Sequence, residues 1–465
     1  MQIKAIPSKW IENEGYRLDC GPYMSGAIEA REILKKLPTT PLQKLAEGHN
    51  GGIYNGPQFV RNYVQDPDHG VPFLTTSSML YADLSNLPLL SKKDAHSSKL
   101  SYLEVKEGMT LISCSGSIGR TVYARKDMDG VWSNQDIMKV VANREEILPG
   151  YLYSFLCTRF GVPLVLSGTY GAIIQHIEPH HLANLPVPRL GEVEERAHEL
   201  VQQAADLRTE ANEIKAKAIE LYENEGALSL AEEEKQNGSV FGAAAVSSRY
   251  LTGRMDAFFH CGFHSEVLVR LEKSDCEKIC VKDFAINLFE PKRFKRVQSQ
   301  DENDIPFFGT TALMWSDPVP SYFLYPRQKG VDDYTINERT VLIPRSGQIS
   351  GIIGTATLPY GRLIGGAISE HAIRVECEKV IDAGYLFIAL RSEIGMRQLK
   401  ARAYGSSIPT LDTFQVGEVL LIDAGKQTRA AIGEMGLKTA QLRDQAIELE
   451  NQARLIVEHA IEEGA

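Results

Sequence analysis

The longest regular pattern of apolar and polar positions in this 465-residue chain occurs twice. After Val193, the apolar positions Ala197, Leu200, Ala204, Leu207, Ala211, Ile214, Ala218 and Leu221 follow at alternating steps of four and three. After Ile432, the positions Met435, Thr439, Leu442, Ala446, Leu449, Ala453, Ile456 and Ala460 alternate three and four. No proline interrupts either run, and glycine falls only near the start of the second, at Gly433 and Gly436. Such spacing keeps one stripe of side chains along one side of a helix, so it predicts two long helices with coiled-coil seams. Many seam residues are alanine, which lets backbones approach closely. Either each helix packs on its own domain or the two pair. A pair related by a pseudo-two-fold axis across the seam is antiparallel. Each seam spans 28 residue steps, about 42 Å at roughly 1.5 Å per residue.

The remaining chain shows short β-like runs, such as 109–113 and 341–344, between glycine turns. Helical stretches follow near 150–160 and 384–399. These two globular parts are copies of one another. Val71-Pro72-Phe73-Leu74-Thr75-Thr76 returns as Ile305-Pro306-Phe307-Phe308-Gly309-Thr310-Thr311, and Leu111-Ile112 with Ser115-Gly116 returns as Leu342-Ile343 with Ser346-Gly347. Gly150-Tyr151-Leu152 matches Gly384-Tyr385-Leu386, and Tyr170-Gly171 with Ile177 matches Tyr404-Gly405 with Leu411. Arg17-Leu18-Asp19 matches Arg254-Met255-Asp256. Five matches in one order, at offsets of 231 to 237, are a duplication. The expected fold class is α+β: two similar mixed globules over 1–190 and 249–425, helices over 191–225 and 426–465 forming an antiparallel coiled coil, and a small-residue linker over 226–248.

Composition adds limits. No apolar run approaches the roughly 18 residues of a membrane span, and the first residues lack a secretory apolar stretch. A cytoplasmic location is expected. Seven scattered cysteines without a CxxC pair speak against a disulfide framework or zinc finger. The net charge of −10 argues against nucleic acid until it is mapped. Residues 192–235 hold 13 acids and 5 bases, and 426–465 hold 7 acids and 5 bases. The rest of the chain balances 40 bases with 40 acids, so basic faces are possible there.

Catalytic motifs are poor. The chain has no Pro-Pro pair, hence no Asn/Asp-Pro-Pro-aromatic loop of a base-amine methyltransferase, and no phosphate-binding GxxxxGK[ST] loop. Gly347, Gly351 and Gly354 have the wrong spacing for a dinucleotide turn. Pro67-Asp68 with Glu104-Val105-Lys106 mimics a nuclease pattern only in the first copy, and His260, Cys261 and His264 lack a second ligand pair.

The glycine–hydroxyl turns are more informative. Ser115-Gly116-Ser117-Ile118-Gly119-Arg120 and Arg345-Ser346-Gly347-Gln348-Ile349-Ser350-Gly351 each follow an apolar run. Glycine admits close backbone approach, while hydroxyl, amide and guanidinium groups donate to phosphate or base edges. Asn134-Gln135 and Glu370-His371 follow them at matching positions. Basic residues fit phosphate contact: Arg293, Lys295 and Arg296 in one dense stretch, Arg61 as the counterpart of Arg296, and Arg391, Arg397, Lys400 and Arg402 along the second helical stretch. Each such run also fits a solvated face.

The double Ser-Gly turn, the Tyr-Gly followed by Ile or Leu, the closing Leu185-Pro186-Val187-Pro188 and a heptad helix after each copy resemble the specificity subunits of type I restriction–modification systems. The second copy departs with Val419-Leu420-Leu421-Ile422 and without Ile118-Gly119-Arg120 in that form. The resemblance spans nearly the whole chain. It implies a non-catalytic subunit with two target recognition domains, each reading half of an asymmetric bipartite site on double-stranded DNA. The DNA-contacting set is expected from Arg61, Thr75, Thr76, Ser115, Gly116, Arg120, Asn134, Gln135, Tyr170, Arg293, Lys295, Arg296, Thr310, Thr311, Arg345, Ser346, Gln348, Glu370, His371 and Tyr404. The paired helices set the gap and dock two methyltransferase subunits, and restriction subunits join through that assembly. This chain then carries no cofactor or metal, and S-adenosylmethionine and ATP belong to the partners. The competing readings are a coiled-coil scaffold without DNA readout and a stand-alone nuclease or methyltransferase.

Overall fold

The computed structural model describes residues 3–13, 16, 18, 20–167, 176–226, 248, 251, 254–257, 259–260 and 262–465. The linker positions 227–247 expected from sequence lie outside the described residues. The chain divides into two compact units, Met1–Thr209 with Gln445–Ala465, and Glu210–Asp444.

The first unit holds strands β1 (Thr39–Pro41), β2 (Ile53–Tyr54), β3 (Tyr63–Val64), β4 (Gly70–Leu74), β5 (Leu89–Ser91), β6 (Thr110–Ser113), β7 (Thr121–Tyr123), β8 (Trp132–Ser133), β9 (Ile137–Val140) and β10 (Pro186–Pro188). They form an antiparallel sheet ordered β2-β9-β6-β7, a sheet ordered β3-β5-β4-β8, and the pair β1-β10. Only β4 and β8 run parallel in the second sheet. Both β6 and β9 are buried along their whole length. Strands covered on both faces read as continuous apolar runs rather than alternating ones, which is why β6 was visible in the sequence.

The second unit holds β11 (Lys278–Cys280), β12 (Asn287–Phe289), β13 (Gln298–Ser299), β14 (Ile305–Phe308), β15 (Tyr322–Leu324), β16 (Thr340–Pro344), β17 (Ala367–Ile368), β18 (Ala372–Glu376) and β19 (Leu420–Ile422). Their orders are β12-β18-β16, β13-β15-β14-β17 and β11-β19. Strand for strand this is the first unit's connectivity. Only β7 lacks a full counterpart, reduced to an isolated bridge between Leu342 and Thr357.

Helices α1 (Ala27–Leu34), α2 (Pro149–Leu156), α3 (Gly161–Ser167), α4 (Pro179–Ala183) and α5 (Glu192–Glu225) correspond in the same way to α6 (Gly262–Lys273), α7 (Val380–Arg391), α8 (Glu393–Arg402), α9 (Thr413–Gly417) and α10 (Gly425–Gly464). The helical stretch expected near 384–399 is two helices, and the one expected near 150–160 ends at Leu156, with a second helix from Gly161. The break has the same cause in both copies: Thr158 Oγ1 accepts from Gly161 N at 2.9 Å, and Ser392 Oγ accepts from Gly395 N at 3.1 Å. A hydroxyl satisfying a free N–H starts a new helix there.

The repeated Gly-Tyr-Leu is structural. A Cβ on Gly384 would lie 2.3 Å from Gly433 O, and one on Gly150 would lie 2.9 Å from His198 Cα. Glycine is therefore needed where the short helix meets the long one. Tyr151 OH donates to Pro188 O and Tyr385 OH to Ile422 O, tying each short helix to the last strand of its unit.

Within each unit, segments of the two long helices run antiparallel. In the first, Ala197 shares a core with Val457 and Ile461, and Arg208 Nη2 contacts Glu450 Oε2 at 2.8 Å. In the second, Thr439 Oγ1 reaches Ala211 O at 3.4 Å, Arg443 Nη2 donates to Asn212 Oδ1 at 3.0 Å, and Ala218 shares a core with Ile432. The alanine layers of the expected seam are buried as read, whereas in the alternate layers the most buried position lies one residue beyond the expected one. Ala197, Val201, Ala204, Arg208, Ala211, Lys215, Ala218 and Tyr222 are buried along α5. Leu200 is also buried, whereas Leu207, Ile214 and Leu221 flank the stripe half-buried. Along α10, Ile432, Thr439, Arg443, Ala446, Ala453 and Val457 are buried, as is Leu442, whereas Met435, Leu449 and Ile456 are half-buried. Alanines sit at the closest approach, and long polar stems fill the space beside them.

Candidate nucleic-acid interface

In each unit three loops converge where the strand with the glycine–hydroxyl turn ends. In the first unit, Cys114 N donates to Asp136 O at 2.8 Å, Ile177 N donates to Cys114 O at 3.2 Å, and Ser115 bridges His176. In the second, Arg345 N donates to His371 O at 2.8 Å, Leu411 N donates to Arg345 O at 2.7 Å, and Ser346 bridges Thr410. The turns, the loops after β8 and β17, and the pairs His176-Ile177 and Thr410-Leu411 thus form one rim per unit. Tyr170 and Gly171 lie outside the described residues, as do Arg17, Asp19 and Cys261.

The hydrogen bonds re-register the two copies. Asn134 N donates to Leu74 O, and Ser369 N donates to Phe308 O. Asn134 therefore answers Ser369, Gln135 answers Glu370, and Asp136 answers His371, one residue off the pairing expected from sequence. Gly119 N donates to Ser113 O and Gly354 N to Pro344 O, both at 2.9 Å. Arg120 thus answers Thr355 rather than Gly351, and Ile118-Gly119 is present in the second copy as Ile353-Gly354. The sequence match failed there because the second turn carries four more residues. Likewise Met79 N donates to Thr75 O and Leu80 N to Ser77 O, while Ala312 N donates to Gly309 O. Because Leu74 O and Phe308 O are the matched acceptors of Asn134 N and Ser369 N, Thr75 answers Gly309, and Thr76 answers Thr310.

In the first turn Ser113 Oγ accepts from Arg120 N at 3.0 Å and donates to Ser117 O at 2.5 Å. This leaves Ser115 half-buried and Gly116 exposed at φ +73°, with nothing among the described residues within 4 Å of a Cβ placed there. Arg120 is half-buried. Asn134 is buried, and its Oδ1 has no hydrogen-bond partner among the described residues. Thr75 is occupied locally, exchanging bonds with Ser78. In the second unit, Arg345 pairs with Glu290, and Gln348 Nε2 donates to Ser407 O at 3.4 Å. Tyr404 OH donates to Asp412 Oδ2 at 3.0 Å. His371 is exposed. Lys295 and Thr311 are exposed and Thr76 and Thr310 half-buried, and no described hydrogen bond joins these four to the rim.

One arrangement recurs with changed chemistry. Arg61 Nη2 donates to Gln135 Oε1 at 3.1 Å, and its guanidinium lies 5.8 Å from the Phe73 ring centre. Arg296 pairs with Glu370, and its guanidinium lies 4.6 Å from the Phe307 ring centre. Arg296 Nη1 also donates to Tyr322 OH at 3.3 Å, and Arg293 Nε lies 3.2 Å from Glu370 Oε1. Burial works to raise Glu370's pKa, yet its backbone hydrogen bond and Arg296 outweigh that and hold the carboxyl below its ordinary range. Sequence reasoning found both arginines but missed Phe73, Phe307 and Tyr322, whose apolar setting reads as core.

A buried cation sits behind each rim. Lys139 lies on β9 with Nζ donating to Ile137 O at 3.2 Å, and burial pushes its pKa down to about 7. Arg374, on β18, donates to Ile368 O, Ser369 O and Ala372 O, holding the loop that carries Glu370. Burial lowers its pKa to about 10. The basic residues expected along the second helical stretch do not make a phosphate-facing stripe. Arg391 and Arg402 are buried, and Arg402 Nη2 donates to Glu418 O at 2.8 Å. Arg391 ends α7, and helix α8, which carries Arg402, packs against α6, α9 and β19.

His260 donates to Arg254 O at 2.8 Å, and no group of three metal-ligating side chains occurs among the described residues. No helix among them is long and apolar enough to cross a membrane.

No family model matches the chain, and no curated protein matches it. Solved structures do, over nearly the whole length. The S subunit of a type I restriction–modification system from M. genitalium is 13% identical, with 92% of this chain and 95% of that one covered at a TM-score of 0.32. The HsdS subunit from Thermoanaerobacter tengcongensis is 13% identical over 92% and 96% at 0.28. A structure described by complex assembly and conformational transition of the type I R-M system is 13% identical over 91% and 98% at 0.28. At such TM-scores the superpositions add nothing to what the two copies themselves imply.

Proposed function

We propose that this chain is the DNA-specificity subunit of a type I restriction–modification complex. The observation that carries it is a pair of units with one connectivity whose matched rims bear different side chains: Gln135 against Glu370, Asp136 against His371, Arg120 against Thr355. Two copies of one scaffold with changed polar rims suit an asymmetric, bipartite DNA site. Recognition domains over 1–190 and 249–425 each read one half. The long helices, as an antiparallel coiled coil, set the gap, since about 42 Å slightly exceeds a DNA turn of ~34–36 Å. Their acidic surfaces suit protein partners better than phosphates, and two methyltransferase subunits dock there. The chain is non-catalytic, and S-adenosylmethionine and ATP belong to the modification and restriction subunits. The rim residues named above supply the DNA contacts.

The test is co-expression with the methyltransferase encoded beside it, in a host free of DNA methylation, followed by mapping of modified adenines. A split, asymmetric motif with a fixed gap is expected. A continuous motif would break the two-domain ruler, and no methylation from a confirmed complex would favour a scaffold without DNA readout.

A further inference from the structure

The paired arginines go further than a basic patch requires. A phosphate contact needs a positive charge within reach and little orientation. Here each guanidinium lies over the ring of a phenylalanine on the parallel-paired strand, 5.8 Å from its centre in the first unit and 4.6 Å in the second, and is tethered by a side chain from the loop after β8 or β17. A ring contact and a tether restrict the fork while leaving other N–H groups to donate. That orientation matters for guanine, whose O6 and N7 accept two parallel bonds in the major groove. Fixing the fork before binding removes an ordering cost.

The two copies hold the fork differently. In the first unit one amide holds it, Gln135, whose Nε2 donates in turn to Asp136 Oδ2 at 2.8 Å, so Arg61 and Asp136 balance. In the second a carboxylate and a tyrosine hydroxyl hold it, and Arg293 with Arg296 and Glu370 sums to +1. The Glu370 side chain is only 11% exposed against 30% for Arg296, so the carboxylate acts through the arginine.

Building on the DNA-recognition reading above, we propose that Arg61 and Arg296 each read a guanine edge, one in each half of the DNA site, with Gln135 and Glu370 as the positioning residues that aim them. Each half-site then contains a G·C pair at a fixed place.

The experiment maps methylation by the full chain with its methyltransferase, comparing wild type with Arg61→Lys, Arg296→Lys, Gln135→Leu and Glu370→Gln. Lysine keeps the charge and any phosphate contact but loses the fork. Arg296→Lys should reduce preference for one guanine in one half-site by roughly five- to a hundredfold and leave the other half intact. Arg61→Lys should do the same to the other half. Gln135→Leu and Glu370→Gln should relax the same positions partially, which covers the case of a lysine variant that does not accumulate. An unchanged motif in every variant, with wild type still giving a split site, overturns the proposal and leaves the bipartite reading standing. A wild type without a split motif overturns both.

Discussion

Strands β6 and β16 lead into turns of different length that close in the same way. From Ser113 the chain returns at Gly119, and from Pro344 it returns at Gly354, each closing glycine donating to the strand's last carbonyl with φ near +75°. Ile118 packs against one core and Ile353 is buried in the other. The extra four residues of the second turn lie between these anchors. Lengthening an exposed loop has a small entropic cost, whereas moving an anchored isoleucine opens a cavity. The duplicated protein has therefore varied where side chains meet solvent and kept what packs.

That contrast is breakable, and the largest expected effect is at the glycines under the long helices. Gly384→Ala should destabilise the second unit by about 3 kcal/mol, because the new Cβ meets backbone. Gly150→Ala should cost about half that, since its backbone contacts at His198, 2.9 Å to Cα and 3.0 Å to O, are looser than the 2.3 Å at Gly384 and the nearer Nδ1 can move. Segment-resolved hydrogen exchange reads each unit separately, and equal losses would show that the two contacts are not different in kind.

The buried cations should respond with opposite signs. Arg374→Met removes donors to three carbonyls and should cost roughly 2 kcal/mol at neutral pH. Lys139→Met removes a buried amine that serves one carbonyl and should stabilise by about 1 kcal/mol. The folded pKa of Lys139, about 7, lies below the ordinary 10.5, so the unfolded chain binds the extra proton between them. Wild-type stability then falls as pH drops from 10.5 to about 7. The gain from Lys139→Met should be full below pH 7 and fade towards 10.5. Urea midpoints across that range check it, and a gain independent of pH would mean that the amine is not the cause.

The smallest effect separates the seam seen in sequence from the one in the fold. Arg208→Ala, which removes a part-buried ion pair with Glu450 and the packing of a buried stem, should cost about 2 kcal/mol, and Leu207→Ala about 1 kcal/mol. The reverse ranking, measured by denaturant unfolding, would restore the heptad register read from the apolar residues.

Much of the architecture was legible. The two long helices announce themselves through a spacing that only a helix uses, and the duplication through Gly-Tyr-Leu, Val/Ile-Pro-Phe and the Ser-Gly turns. Those matches survive because they are packing devices: Gly150 and Gly384 admit a neighbouring helix, and Tyr151 and Tyr385 bond the last strand. The rim was legible only in outline. Arg61 and Arg296 stood out, but the pairing of Gln135 with Glu370 was missed by one residue. A loop carries no periodicity to hold its register.

Local patterning along the chain thus determined the helices, the buried strands and the fact of repetition, because each depends on residue spacing that neighbouring positions enforce. The tertiary structure alone decided which stripe of α5 and α10 is buried, that Arg391 and Arg402 turn inward, and that each rim arginine lies over a phenylalanine ring and is tethered. These depend on partners that the chain brings near from tens to hundreds of residues away, and no local spacing records them.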